Sequence, residues 1–187
     1  MIARELTNEE LMSAVSRADA EAFNELLIRF EKKVFALAWR LCFDQAEAED
    51  LTQETFLKIW QKAGSWKPEA KLETWIYRVL YNLFIDSRRR VKTQTGELSE
   101  DIRSGDVSPE QALIRKRTAQ QVARALNELP DRQKQALILC YYQGLKAKDA
   151  AEILSVSQSA LEALLFRARQ TLKDTLGKVK GIQKDDL

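Results

Sequence analysis

The chain contains no histidine, and its two cysteines, Cys42 and Cys140, lie far apart in sequence. Without histidine or paired cysteines there is no residue set for zinc ligation and no imidazole for acid–base chemistry. A glycine-rich phosphate loop and a nucleophile elbow are also missing, so the chain does not read as an enzyme and no cofactor is expected. Both cysteines fall among apolar helical neighbours and read as reduced, buried packing residues. Only 6 glycines and 3 prolines occur in 187 residues, a composition that suits long helices better than a turn-rich β architecture. No apolar run is long enough to cross a bilayer and no N-terminal signal has an apolar centre, so a cytoplasmic protein without membrane insertion is expected. Excess charge is scarce too: 30 Lys and Arg against 28 Asp and Glu leave a net charge of +2, so any binding to a polyanion must come from segregated charge.

Such segregation is present. The segment Val79–Lys92 ends in Ser87-Arg88-Arg89-Arg90-Val91-Lys92, whereas Thr93–Glu110 holds 5 acids against 1 arginine. Apolar residues make up 45% of the chain, enough for one or two soluble domains with buried cores.

The most informative stretch is KAKDAAEILSVSQSALEALLFRARQTL, Lys146 to Leu172. It reads as two helices and a tight corner. The first, about Ala147 to Leu154, offers Ala150, Ala151, Ile153 and Leu154 to a second helix. Ser155, Val156 and Ser157 make the corner, and Ser157 is the preferred N-cap over a competing Ser159–Glu162 capping box. In the second helix, about Gln158 to Leu176, Leu161, Leu165, Ala168 and Leu172 form the inward stripe. Ser159, Glu162, Ala163, Phe166, Arg167 and Gln170 then point outward. A short-cornered pair with a polar outward face, Arg167 and Arg169 included, suits the major groove, where such a second helix reads base edges. An ordinary helical hairpin with a solvated face is the alternative.

Upstream, Thr7 with Glu10 has capping-box spacing and opens a short helix to about Arg17. Asp19 starts a longer one with Phe23, Leu26, Leu27, Phe30, Val34, Leu37, Ala38 and Leu41 as its core face. Asp44 with Glu47 begins a helix from about Gln45 to Lys62, in which Leu51, Phe56, Ile59 and Trp60 pack inward while Asp50, Gln53, Glu54 and Lys58 stay outside. Gly64 and Pro68 make a loop containing Trp66 and Lys71. The following helix, roughly Leu72 to Val91, buries Ile76, Val79, Leu80 and Leu83. It interleaves Trp75, Tyr77, Arg78, Tyr81, Asn82, Asp86, Arg88, Arg89 and Arg90. Exposed aromatics beside arginines suit a single nucleic-acid strand, because each unstacked base gains roughly 1–3 kcal/mol by stacking while cations follow the phosphates. Core aromatics and a solvated helix end fit the same residues, equally well for Trp75.

Thr93–Ser108 lacks apolar periodicity and reads as a flexible linker, spanning on the order of 25 Å as a coil and about 60 Å extended. Ser108-Pro109-Glu110-Gln111 restarts helix, with Leu113, Val122, Ala123 and Leu126 to Leu129. Pro130 ends it and opens another, Asp131 to Gln143, with Ala136, Leu137, Leu139 and Cys140 inside and Gly144 as C-cap. The expectation is an all-α chain of two small helical domains, residues 1–92 and 109–187, joined by a linker over 93–108.

Three blocks of this sequence resemble bacterial RNA polymerase sigma factors of the extracytoplasmic function type, in the sigma-70 family. AEDLTQETFLKIW (Ala48–Trp60) is similar to the segment that docks on the clamp helices of the polymerase β′ subunit. KLETWIYRVLYNLFIDSRRR (Lys71–Arg90) is similar to the regions that recognise and melt the −10 element. Leu129–Leu172, opening LPDRQKQALIL and closing LLFRARQTL, resembles region 4 with its −35-reading helix. The resemblance implies that Asp50, Gln53, Glu54 and Lys58 dock on core polymerase. It implies −10 contacts by Trp66, Lys71, Trp75, Tyr77, Arg78, Asn82, Arg88, Arg89 and Arg90. For the −35 duplex it implies Gln158, Ser159, Glu162, Ala163, Phe166, Arg167 and Gln170. Expected partners are core RNA polymerase (β′ clamp helices and β subunit), promoter DNA and an anti-sigma factor. The reading helix departs from the family pattern: Glu162 and Leu164 stand where many relatives carry basic residues, and Ser159-Ala160 replaces the usual glycine-threonine pair. Glu162 is a candidate acceptor from a cytosine amino group, or else completes the Ser159 box.

Two other functions fit parts of the chain. A stand-alone duplex-binding regulator would use only the C-terminal helices, and a protein adaptor would use the exposed faces without any DNA. The acidic face of Gln45–Lys62 and the aromatic-basic stretch Trp66–Arg90 argue against the first, since a duplex binder needs neither.

Overall fold

The computed structural model describes residues 6–95, 125–126 and 128–182. The described residues are helical with no strand among them. The chain divides into two compact units, Met1–Arg103 and Ser104–Leu187. Most of the Thr93–Ser108 segment, the Ser108-Pro109 helix start, Leu113, Val122 and Ala123 lie outside the described residues.

In the first unit, α1 (Asn8–Ser16) begins at the expected reciprocal box: the Glu10 amide donates to Thr7 Oγ1 and the Thr7 amide donates to Glu10 Oε2 at 2.9 Å. It buries Leu11, Met12, Ala14 and Val15. Ala18, at φ 63°, reverses the chain, and the Asp19 carboxylate accepts from the Glu21 and Ala22 amides to start α2 (Ala20–Cys42). The core face of α2 is Ala22, Leu26, Phe30, Val34, Leu37, Ala38 and Leu41. Phe23 and Leu27, also expected inside, are only half-buried. Phe23 instead packs edge-on against Trp60 at 4.8 Å and Phe56 at 6.5 Å, tying α2 to α3 (Gln45–Lys62).

Asp44 caps α3 through the Glu47 amide at 2.8 Å. The reciprocal half of that expected box is not the bond Glu47 makes: its carboxylate pairs with Arg88 at 3.0 Å, a contact across 41 residues that no local spacing announces. Two hydroxyls, Thr52 and Thr55, are buried in α3 because each donates to a carbonyl one turn back, Ala48 and Leu51, at 2.7 Å. A 3-10 turn (Ala63–Ser65) and a loop lead to α4 (Leu72–Thr95), which packs on α2 and α3. Each large apolar side chain fully buried between these helices contributes about 1.5–3 kcal/mol.

In the second unit, α5 (Asp131–Leu137) follows Pro130 and passes into a wider π turn, Ile138–Tyr142, with the Gln143 amide donating to the Ile138 carbonyl. The sequence reading expects plain helix here. The widened turn shifts the register, and Tyr141 and Tyr142 end exposed while Ile138 and Leu139 stay buried. Gly144 closes it at φ 62°, as expected of a C-cap. Helices α6 (Ala147–Ile153) and α7 (Gln158–Ile182) pack together, joined by a corner in which Ser155 has φ 54°. Arg132 of α5 donates to the Leu154 carbonyl at 3.0 Å, supporting that corner. Ser157 is the N-cap, its hydroxyl accepting from the Ala160 amide at 3.1 Å. The buried face of α7 is Leu161, Leu165 and Ala168; Leu172 is half-buried.

Candidate nucleic-acid interface

Helix α3 buries Ala48, Leu51, Thr52, Thr55, Phe56 and Ile59, which turns Asp50, Gln53 and Glu54 to solvent with Lys58 half-buried beside them. Leu57 completes the same outward face and is 61% exposed. Sequence reasoning left it unassigned, although its place three residues after Glu54 and four after Gln53 puts it on that stripe. The face therefore pairs a large apolar contact with carboxylates, a composition suited to a protein partner.

On α4 the helical phase separates two rows. Leu72, Ile76, Leu80 and Leu83 are buried, and so are Tyr77, Tyr81 and Phe84. On the other side Arg78, Asn82 and Arg89 are exposed, with Lys71 exposed and Trp75 half-buried at the same helical spacing. The expected exposed-aromatic strip is therefore corrected at Tyr77 and Tyr81. Tyr77 is 2% exposed; its hydroxyl donates to Glu73 at 3.3 Å, and Lys33 of α2 donates to the same carboxylate oxygen at 2.8 Å. Burial first, and then the Glu73 charge, raise the Tyr77 phenol above its ordinary range. As placed, Tyr77 offers no ring face to a base; it fixes α4 against α2. The signal was present in the row Tyr77, Tyr81, Phe84, Arg88, spaced four, three and four residues apart.

Arg88 is the second correction. Its guanidinium pairs with Glu47 at 3.0 Å and lies 5.2 Å from the Phe84 ring centroid, so it bridges α4 to α3 rather than standing ready for phosphate. Arg89 and Arg90 are exposed. Burial pushes the nearby Cys42 thiol up to about 12, with Glu47 adding to the effect and Arg88 opposing it. Both cysteines are half-buried and unbridged, less enclosed than expected, and burial raises Cys140 as well. In the loop before α4, Trp66 is half-buried, and its indole N–H is buried without an acceptor among the described residues. An unmet buried donor costs about 1–3 kcal/mol, which a ligand acceptor would offset.

On α7 the residues Gln158, Ser159, Glu162, Arg167 and Gln170 are exposed, Ala163 is half-buried, and Phe166 is 65% exposed. Because Ser157 supplies the cap, Glu162 is not held in a Ser159 box, and it makes no hydrogen bond or ion pair among the described residues. Arg167 has no carboxylate partner among them either. Arg169 differs: its Nε donates to the Tyr141 hydroxyl at 2.9 Å, Nη2 donates to the same oxygen, and the guanidinium lies 5.6 Å from the Tyr141 ring centroid. Among the described residues no cluster of acids and cysteines could hold a metal ion, and no helix is long and apolar enough to cross a membrane.

Comparison with known proteins agrees with this layout. Residues 26–94 match Sigma-70 region 2, and residues 119–172 match Sigma-70, region 4. The ECF RNA polymerase sigma factor SigM of Mycobacterium tuberculosis is 31% identical over 173 residues, covering 92% of this chain and 86% of SigM. SigE of Mycolicibacterium smegmatis is 33% identical over 166 residues, covering 87% of this chain and 64% of SigE. Among solved structures, the sigma factor RpoE in complex with the anti-sigma factor NepR from Bartonella quintana superposes with a TM-score of 0.70 at 26% identity, covering 84% of this chain and 98% of that one. A region 2 unit, a region 4 unit and SigM-like identity along nearly the whole length place this chain in the family of ECF RNA polymerase sigma factors, which direct transcription and are not enzymes.

Proposed function

We propose that this chain is an alternative sigma factor that docks on core RNA polymerase, reads a −35 duplex and opens a −10 element, and is held in check by an anti-sigma factor. The α3 face of Asp50, Gln53, Glu54, Leu57 and Lys58 is the polymerase-docking surface, where Leu57 supplies apolar contact and the carboxylates set orientation. The observation that carries the rest is a row along one side of α4, exposed except for half-buried Trp75. Lys71, Trp75, Arg78, Asn82 and Arg89 share one side of the helix, next to the Trp66 loop. That row meets the need of a displaced strand: cations for phosphates and ring faces for bases. Unpairing costs a few kcal/mol per base, and stacking at about 1–3 kcal/mol offsets it. Arg90 extends the cationic track beyond it.

In the second unit α7 enters the major groove, with Gln158, Ser159, Glu162, Ala163, Phe166, Arg167 and Gln170 as its reading side. Glu162, a carboxylate with no intramolecular partner among the described residues, accepts from a cytosine amino group. The likeness to a sigma factor bound to NepR supports an anti-sigma partner for this chain.

The test is run-off transcription from a promoter library by core polymerase with and without the chain. Selective initiation that needs both promoter parts is the expected result. Tight operator binding without core would instead favour a stand-alone regulator. In the same library, Glu162→Ala should relax preference at one −35 base pair by roughly 1–3 kcal/mol; unchanged preference at every position would end the cytosine assignment.

A further inference from the structure

Arg169 lies outside the reading side assigned to α7. At about 100° per residue, Ser159, Ala163, Phe166 and Gln170 form the outermost stripe, Arg167 stands on one flank and Arg169 on the other. A helix roughly 10–12 Å across fills a major groove about 12 Å wide, so the stripe and the side chains nearest it meet base edges while Arg169, about 90° from the stripe's centre, faces a phosphate wall.

The Arg169 flank is already organised. The Tyr141 hydroxyl accepts from both Nε and Nη2, with the guanidinium 5.6 Å from the ring centroid, so a side chain that is ordinarily mobile is held in one orientation by the π turn after α5. A hydroxyl accepting from arginine keeps its own proton for an outside acceptor, and the guanidinium keeps its Nη1 donors. Tyrosine is neutral, and Arg169 forms no ion pair with any acid among the described residues, so its positive charge is not cancelled. Both residues are exposed, Tyr141 at 57%. A fixed, uncancelled guanidinium beside a phenol donor suits a phosphate oxygen, and fixing it beforehand removes much of the ordering cost of binding.

We infer that Tyr141 and Arg169 form a preset phosphate contact that grips one wall of the groove occupied by α7, adding affinity for the −35 duplex without reading its sequence. The inference rests on the reading of α7 as the −35 helix.

The experiment measures holoenzyme affinity for the upstream promoter duplex across a salt series and across sequence variants. Arg169→Gln should make the slope of log K against log salt shallower by about 0.9 while the ranking of sequences stays as it was. Tyr141→Phe leaves the charge in place, so the slope should stay while affinity falls about threefold for one lost hydrogen bond. A wild-type slope in Arg169→Gln, or a changed preference at a base pair, overturns the phosphate assignment while leaving α7 as the reading helix. If the wild-type holoenzyme is indifferent to the upstream duplex, both readings fail together. Thermal melts establish whether the variants are folded; should Arg169→Gln not fold, unchanged affinity in Tyr141→Phe overturns the inference.

Discussion

Three consecutive arginines close α4's basic run, and they do not do the same work. Arg88 is half-buried, paired with Glu47 at 3.0 Å and stacked near Phe84, whereas Arg90 is exposed. Arg88→Ala should lower unfolding free energy by about 1 kcal/mol, the pair and the ring contact together, and Arg90→Ala should leave it unchanged within about 0.5 kcal/mol. Chemical denaturation of the two variants checks this. A second consequence at this scale concerns alkali. The Cys42 thiol rises from 9.0 to about 12 on folding, so the folded chain keeps its proton where the unfolded chain has lost it. That contribution is fully present below pH 9 and is lost as pH climbs from 9 towards 12. Cys42→Ala should therefore show a flatter decline in stability between about pH 8.5 and 10.5 than the parent, and a parallel decline would show that the thiol is not desolvated. The Arg88 bridge is not legible in sequence, because Arg88 and Glu47 lie 41 residues apart, whereas the burial that raises the thiol is what its apolar helical neighbours lead one to expect.

The starts of the helices are the legible part, while α4 and α7 run on to Thr95 and Ile182 rather than ending at about Val91 and Leu176. The reason the starts are legible is local chemistry. Thr7, Asp19, Asp44 and Ser157 each accept from amides of their own first turn, so a few neighbouring residues decide where the helix starts. Phase is legible in principle: the buried row Tyr77, Tyr81, Phe84 follows from α4's own spacing, although the aromatic-basic composition by itself suits exposure. The π turn at Ile138–Tyr142 has no local signal, since nothing in Ile-Leu-Cys-Tyr-Tyr requires a wider turn, and so the outward tyrosines are seen only in the structure. The corner between α6 and α7 is a different kind of case. Ser155 occupies φ 54°, where a Cβ costs about 1–2 kcal/mol. Ser155→Val, with a branched Cβ, should destabilise the second unit by about 1–2 kcal/mol and weaken −35 recognition in step with that loss. Ser155→Gly should be at least as stable as the parent, since relieved strain offsets the added freedom of the unfolded chain. Melting of the full chain alongside duplex affinity of the holoenzyme separates the two, and equal stability of the Val and Gly variants would contradict the corner geometry.

Taken whole, the molecule carries a net charge of +2 and presents exposed cations on each of its two units. A weak overall field means that the free chain as a whole does not attract DNA strongly, so it should bind promoter duplex only in the non-specific range, around 10⁻⁴–10⁻⁶ M. Division of labour between the units yields a sharper expectation. On the proposed function, contacts from α7 would act on duplex and be needed whether or not the strands have parted, whereas the α4 row and the Trp66 loop would act by stabilising strands already apart. Arg167→Ala should therefore reduce initiation by about 5- to 100-fold, the loss expected for one good groove contact, on duplex promoters and on templates with a pre-opened −10 bubble alike. Trp66→Ala combined with Arg78→Ala should reduce it comparably on duplex, and a pre-opened bubble should restore most of the loss, because the unpairing energy those side chains offset has been removed from the reaction. Run-off yields from matched duplex and bubble templates decide the matter. Rescue of Arg167→Ala by the bubble, or failure to rescue the Trp66 and Arg78 double variant, would mean that the two units do not divide the promoter between closed and open DNA.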